Sequence, residues 1–122
     1  MRIATALSVL ALIGAAHADD GKVVRGAARF ADCVDCHRLE PGANNVGPSL
    51  HGIFTRKAGE VVGFSYSPAL KRSGIVWTPE TLDKFIRDPQ AMVPGNRMSY
   101  AGMINADDRA DLIAFLLKAT QY

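Results

Sequence analysis

Five consecutive residues, Cys33-Val34-Asp35-Cys36-His37, restrict this chain more than any other part of its sequence. The spacing C-x-x-C-H is the attachment pattern of c-type haem. Two thiols three residues apart can add to two vinyl groups on one side of a haem, which leaves the next residue, His37, under the iron as an axial ligand. The pattern therefore predicts one haem c per chain, held covalently by Cys33 and Cys36.

Three other interpretations of this pentapeptide compete with haem attachment. A disulfide or a thioredoxin-like redox pair would lie in a βαβ pattern, and no long alternating run predicts a sheet here. Zinc needs four ligands, whereas the chain after residue 18 contains two cysteines and two histidines. The third interpretation is a chance occurrence of the five residues.

Residues 1–18, MRIATALSVLALIGAAHA, have the pattern of a cleaved secretory signal peptide. Arg2 is the charged start, residues 3–13 are mostly apolar, and the small-x-small triplet ends at Ala18, after which we expect cleavage. The apolar run is shorter than the ~20 residues of a membrane-spanning helix, so we expect no stable membrane insertion. Because haem c is attached outside the cytoplasm, a periplasmic location for the domain over 19–122 agrees with the pentapeptide.

Length and charge exclude several other classes of protein. A chain of 122 residues suits one domain, and two cysteines are too few for a disulfide-stapled scaffold. The balance of 14 Lys and Arg against 12 Asp and Glu provides no basic field for nucleic acid. We therefore expect no nucleic-acid partner.

Helix signals divide the rest of the chain into short segments. The predicted helices run over 20–32 with Asp19 and Asp20 at the start, from Ser67-Pro68 to Arg72, from Thr78-Pro79 to a stop at Asp88-Pro89, and from an Asn105 cap to about Lys118. Residues 40–49, rich in Pro, Gly and Asn, indicate a loop. Short helices joined by long loops make a poor core by themselves, so we expect an all-α fold wrapped around one large apolar group.

The second axial ligand has four candidates, Met92, Met98, Met103 and His51. Met98 lies in the turn-rich loop over 94–98, which can press a thioether onto a haem face. Met92 is the weaker alternative, because it follows closely on a helix end. Met103 has the position of a packing residue, and His51 that of a surface or hydrogen-bonded residue. Met98 is therefore the predicted ligand.

From about Gly26 to Thr120 the chain resembles the class I group of the cytochrome c family, the one-electron carriers of mitochondria and bacteria. The similar motifs are Gly47-Pro48-Ser49-Leu50-His51-Gly52, Arg56-Lys57, Gly63-Phe64-Ser65-Tyr66, Gly74-Ile75-Val76-Trp77, Pro94-Gly95-Asn96-Arg97-Met98 and Asp111-Leu112-Ile113-Ala114-Phe115-Leu116. The resemblance implies that Met98 is the distal ligand and that the last helix crosses the first near Gly26 and Phe30.

The resemblance also implies a set of contacts with the cofactor. The residues concerned are Pro48, whose carbonyl would accept the second ring N–H of His37, and Arg56, Tyr66, Trp77 and Asn96. A buried haem propionate is an anion that must be paired or hydrogen-bonded. Arg56 offers a fixed charge, while Tyr66 and Trp77 each offer a donor and an apolar body. The alternative is that both aromatic residues are ordinary core residues.

Three residues depart from the family's pattern. Phe85 stands where a tyrosine is frequent, and Leu70 stands where an asparagine is frequent. Both replacements predict a drier haem pocket. Asp32, directly before the first cysteine, stands where a lysine is frequent.

Together these features predict a monomeric electron carrier that is not an enzyme, because both axial positions of the iron would be filled. His/Met ligation favours a relatively high potential. The expected partners are redox proteins, namely a quinol-oxidising cytochrome complex, a terminal oxidase, a reaction centre or a reductase. One alternative is a haem-bearing subunit held permanently by a periplasmic oxidoreductase. Another is a gas-binding or peroxidase-like haem protein, which would require that Met98 is not a ligand.

Overall fold

The computed structural model describes residues 13–121 of the chain. Its α-helices are α1 (Ile13–Arg29), α2 (Pro68–Arg72), α3 (Pro79–Arg87), α4 (Pro89–Met92) and α5 (Ala106–Ala119), with short 3-10 helices at Phe30–Asp32 and Ile53–Thr55. Over these residues no strand forms, and one isolated antiparallel bridge joins Lys57 to Val76. The predicted all-α class is confirmed.

The first and last helices cross at very short range. A Cβ atom on Gly26 would lie 1.9 Å from the backbone oxygen of Asp111 and 2.7 Å from Cβ of Phe115, so only glycine allows this approach. One turn later, Phe30 packs on Phe115 with ring centroids 5.5 Å apart. The predicted crossing near Gly26 and Phe30 is confirmed.

Side-chain caps start the later helices where the sequence predicts them. Ser67 and Asn105 each accept a backbone N–H from three residues further on, at the starts of α2 and α5. Thr78 and Thr81 form a reciprocal capping box at the start of α3. These contacts satisfy N–H groups that have no partner within the helix, which is why the signals are local and readable from sequence.

The start of α1 differs from the prediction. Asp19 and Asp20 lie inside the helix, which begins at Ile13. The preceding segment is rich in alanine, the strongest helix former, so the helix continues through it. Residues 1–12 of the predicted signal peptide lie outside the described residues, and cleavage after Ala18 stays a prediction.

A second difference is α4, which the sequence analysis did not predict. Asp88 ends α3, and the helical conformation then resumes at Pro89. The side chain of Asp88 accepts the N–H of Ala91, and proline occupies the first helical position of α4, where its missing N–H costs nothing. The same Asp-Pro pair therefore ends one helix and starts the next.

The hydrophobic core lies between α3, α5 and the loops. Its most buried apolar side chains include Leu112, Leu116, Ile53, Leu82, Phe85, Val93 and Trp77. Partly buried Cys33, Met98 and Tyr100 pack against this cluster. Within residues 13–121, no helix combines the length and the apolar character needed to cross a membrane.

Candidate haem site

The haem-attachment turn, residues 33–37, continues directly from the 3-10 helix at Phe30–Asp32. The N–H of Cys33 donates to the Phe30 carbonyl at 2.9 Å, and the N–H of His37 donates to the Cys33 carbonyl at 2.9 Å. Cys33 and Cys36 are free and partly buried. Burial, followed by the nearby Asp32 carboxylate, raises the pKa of Cys33 to about 11, so this group is a protonated thiol. The helix-like turn brings both thiols and the imidazole together.

A backbone carbonyl determines the protonation and orientation of His37. Its Nδ1 atom lies 2.7 Å from the carbonyl oxygen of Pro48. Because a carbonyl can only accept, Nδ1 carries the proton and Nε2 keeps its lone pair. Burial, together with the charge of Arg56, lowers the pKa of His37 and favours the neutral ring. The predicted contact with Pro48 is confirmed, and it leaves Nε2 able to bind a metal.

Gly47 supports the imidazole from one side. A Cβ atom at this position would lie 2.3 Å from Cε1, 2.6 Å from Nδ1 and 2.8 Å from Nε2 of His37. The Gly47 N–H also donates to the carbonyl of Cys36 at 2.8 Å, which ties this loop to the attachment turn. Gly47 lies within one of the family motifs, but the sequence does not indicate this role, because only the close approach of the loop and the ring reveals it.

Arg56 lies at the centre of a polar group beside His37. Its guanidinium donates to the backbone oxygens of Ser49 and His51, and its carbonyl accepts the N–H of Trp77 at 3.1 Å. Burial raises the pKa of Tyr66, and the positive charge of Arg56 acts in the opposite direction. The structure therefore joins Arg56 to Trp77 through the backbone, and the shared contact of Arg56, Tyr66 and Trp77 with a cofactor stays a prediction.

Tyr66 and Trp77 are buried aromatic residues with polar groups held in place. The Tyr66 hydroxyl oxygen accepts the N–H of Val61 at 3.1 Å, and burial raises the pKa of Tyr66, so the hydroxyl remains protonated. The Trp77 ring packs edge-on against Phe85, with centroids 5.1 Å apart. Both residues contribute to the core, and their role toward a cofactor stays a prediction.

The Met98 loop, residues 93–105, joins α4 to α5. The buried Asn96 donates through Nδ2 to the carbonyls of Pro89 and Val93, each at 2.9 Å. Its Oδ1 accepts the N–H of Met98 at 2.9 Å. These bonds direct both the donor and the acceptor of the amide group to the backbone around this loop. The geometry therefore gives Asn96 a role in shaping the loop, and its contact with a cofactor stays a prediction.

The other ligand candidates lie in different surroundings. Met103 is buried in the core and its N–H donates to the Ile86 carbonyl at 2.8 Å, as expected for a packing residue. Met92 ends α4 and is partly buried, and His51 is partly buried in the loop that Arg56 contacts. Met98 is also partly buried, and its backbone is the one held by the Asn96 side chain.

The residues present fit a covalently bound haem c. One turn carries two free thiols and a neutral imidazole with an available Nε2. The close approach of Gly47 prevents the imidazole ring from moving toward that loop. Within residues 13–121, no group of three or more His, Cys, Asp and Glu side chains could hold a metal ion. The zinc interpretation therefore finds no ligand set in this part of the chain.

Comparison with known proteins gives the same assignment, since the Cytochrome c family model matches residues 23–120. The chain belongs to the cytochrome c family. Cytochrome c2 of Rhodomicrobium vannielii is 46% identical over 103 residues, which cover 84% of this chain and 81% of that protein. Cytochrome c type-1 of Ascaris suum is 48% identical over 84 residues, covering 69% of this chain and 75% of that protein.

A solved structure supports the same fold. Cytochrome cH from Methylobacterium extorquens superposes with a TM-score of 0.74 at 38% sequence identity, covering 79% of this chain and 97% of that chain. The protein is thus a class I c-type cytochrome, an electron carrier rather than an enzyme, and its family carries covalently bound haem c.

Proposed function

We propose that this cytochrome c is an exported, monomeric carrier with one haem, ligated by His37 and Met98, that moves electrons between redox proteins in the periplasm. The observation that carries the proposal is the contact of His37 Nδ1 with the Pro48 carbonyl at 2.7 Å. A ring fixed in this tautomer presents the Nε2 lone pair, and a hydrogen bond from the other nitrogen is how proteins orient a ligating histidine.

Cys33 and Cys36 would hold the cofactor covalently. Each thiol would add across one vinyl group, so that sulfur bonds to one vinyl carbon and the thiol hydrogen passes to the other. This addition changes no net oxidation state. Haem c supplies the chemistry of the protein, a reversible one-electron change between ferrous and ferric iron.

Met98 would occupy the second axial position. Asn96 holds the Met98 N–H at 2.9 Å and so limits where the thioether can lie. Thioether ligation favours ferrous iron and therefore a higher potential. With both axial positions filled by side chains, no open coordination site remains for a substrate or gas.

The polar group around Arg56 would bind the haem propionates. Arg56 contributes a positive charge, and the protonated Tyr66 hydroxyl and the Trp77 indole N–H contribute donors. The Arg56 guanidinium is oriented by the carbonyls of Ser49 and His51, so little of its side-chain entropy would remain to be lost on binding. Phe85 and the partly buried Leu70 would exclude water from the same pocket.

The expected partners are a quinol-oxidising cytochrome complex or a reductase as electron donor, and a terminal oxidase or a reaction centre as acceptor. The experiment that tests the proposal is a redox-titrated absorption spectrum of the protein purified from periplasmic extract, with the haem attachment measured by mass spectrometry. We expect one thioether-linked haem, the weak far-red band of iron–methionine bonding in the ferric state, and no change on adding carbon monoxide to the ferrous state.

Two results would contradict parts of this proposal. Ready binding of carbon monoxide would indicate an open axial position and favour a gas-binding or peroxidase-like protein. Sedimentation of the native protein only within a larger complex would indicate a permanent subunit of an oxidoreductase in place of a free carrier.

A further inference from the structure

The Met98 loop is anchored to the rest of the protein on both sides of the methionine. On the N-terminal side, Asn96 bonds to the backbone at three points. On the C-terminal side, the N–H of Met103 donates at 2.8 Å to a carbonyl near the end of α3. A Cβ atom on Gly102 would lie 2.2 Å from the backbone oxygen of Arg87, so the loop touches α3 there as well. Residues 98–101 form the span between these anchors.

Within this span, Tyr100 reaches across to Asp32, the residue directly before the haem-attachment turn. Its hydroxyl donates to Oδ2 of Asp32 at 3.2 Å, joining residues 68 positions apart in sequence. The Tyr100 ring packs against the core, and the Tyr100 N–H donates to the Met98 carbonyl at 3.0 Å. Met98 and Tyr100 therefore belong to one tight backbone turn. Asp32 directly precedes Cys33, so this hydrogen bond connects the two segments that would hold the haem from opposite sides.

We propose that Tyr100 and Asp32 form a clasp that positions Met98, closing the Met98 loop against the haem-attachment turn. The proposal rests on the proposed role of Met98 as an axial ligand. Tyr100 and Asp32 are positioning residues, because they act on Met98 through the backbone of its turn.

The physical reason is the cost of opening the loop. A loop that swings away far enough to release the thioether must break the bond between Tyr100 and Asp32. Hydrogen bonds with an ionised acceptor are stronger than neutral ones. At a partly exposed site the net effect is modest, and we expect opening to become about five-fold more frequent when the bond is removed.

The test measures how fast an external ligand replaces Met98 in the ferric holoprotein. Imidazole at saturating concentration is mixed with the protein in a stopped-flow instrument, so that the observed rate reports loop opening. Tyr100→Phe keeps the ring but removes the hydroxyl, and Asp32→Ala removes the acceptor. We expect each variant to react about five-fold faster than the parent. Because both substitutions remove the same bond, the double variant is expected to be no faster than either single variant.

Two control variants separate the clasp from a general effect of charge. Asp35→Ala removes a carboxylate three residues after Asp32, inside the haem-attachment turn, and we expect its rate to stay within two-fold of the parent. Asp32→Asn removes the charge but keeps an acceptor oxygen, so its rate is expected to lie between those of the parent and Asp32→Ala. Equal acceleration by Asp35→Ala and Asp32→Ala would overturn the clasp in favour of electrostatics. Additive effects of Tyr100→Phe and Asp32→Ala would overturn it as well.

Hydrogen exchange at the Tyr100 amide provides a readout that does not depend on the iron ligand. This amide donates to the Met98 carbonyl, so loss of the clasp is expected to raise its exchange rate in Tyr100→Phe and Asp32→Ala but not in Asp35→Ala. If Met98→Ala bound imidazole no faster than the parent, the ligand assignment under the proposed function would fail. The exchange data would still decide whether the clasp exists, and unchanged exchange in both clasp variants would refute it.

Discussion

The contact between Gly47 and the His37 ring allows one substitution to be predicted quantitatively. Gly47→Ala adds a single methyl group at a position where the backbone is compatible with an L-residue, since Gly47 is not among the glycines with positive φ. That methyl carbon would lie 2.3 Å from Cε1 of His37. Backbone strain is therefore absent, and the substitution tests the steric contact alone.

The magnitude follows from the distances. Restoring ordinary contact, which begins near 3.4 Å, requires the ring or the loop to move by about 1 Å. A shift of this size takes the 2.7 Å contact between His37 Nδ1 and the Pro48 carbonyl beyond hydrogen-bonding distance. Overpacking costs about 1–3 kcal/mol, and loss of a buried hydrogen bond costs about 1–3 kcal/mol. We expect Gly47→Ala to lower the free energy of unfolding by about 2–6 kcal/mol, the sum of the two costs.

Thermal unfolding of the ferric holoprotein, followed by circular dichroism, measures this effect. A loss of about 2–6 kcal/mol corresponds to a fall in Tm of about 10–30 °C for a domain of this size. The potential is expected to rise, because an imidazole that no longer donates its Nδ1–H to a carbonyl is a poorer electron donor to ferric iron.

Gly21→Ala is the matched control for this substitution. Gly21 lies inside α1, and an added Cβ would meet only the flexible end of Arg25, with the nearest atom at 3.1 Å. Alanine is favoured over glycine in a helix by about 1 kcal/mol, so the control is expected to be neutral or slightly stabilising. A Tm for Gly47→Ala within about 2 °C of the parent, with an unchanged potential, would refute the reasoning.

Three further predictions concern the haem site. Replacing both Cys33 and Cys36 with alanine is expected to abolish the cooperative thermal transition, because the helices and loops would lose the haem at the centre of the fold. Thermal melting followed by circular dichroism measures this, and a transition like that of the parent would contradict the prediction. Met98→Ala is expected to keep the covalent haem, to bind carbon monoxide in the ferrous state and to have a lower potential. The control Met92→Ala is expected to have the potential of the parent and not to bind carbon monoxide. The opposite pattern would make Met92 the ligand. Phe85→Tyr is expected to shift the potential and leave the fold intact, since the new hydroxyl could donate to the Met98 sulfur. An unchanged potential together with an unchanged far-red band would show that the hydroxyl does not reach the sulfur.

Much of the fold was predictable because its determinants are local. Ser67, Thr78 and Asn105 each cap a helix through a backbone group three residues away, so the short sequence around each contains both partners. The haem-attachment turn is local in the same sense, since its two thiols and its imidazole lie within five consecutive residues. Local signals did not reveal α4, because Asp88-Pro89 is compatible both with the end of one helix and with the start of the next.

The contact between His37 and Pro48 shows how far family resemblance extends such reasoning. The two residues are 11 positions apart, and the resemblance alone implied their hydrogen bond. Asn96 shows the limit. The same resemblance implied a contact with the cofactor, which stays a prediction, but it did not indicate the bonds of the amide group to the backbone of Pro89, Val93 and Met98.

By itself, the sequence determined the chemistry of this protein. The thiols of Cys33 and Cys36 and the imidazole of His37 are defined by residue type and spacing, and these properties survive in any conformation. Only the tertiary structure decided how that chemistry is held. Segments that are distant in sequence meet within a few ångströms in two places. One is the close approach of Gly47 to the His37 ring, and the other is the hydrogen bond from Tyr100 to Asp32. Such distances arise from packing of the whole domain, so no local pattern encodes them.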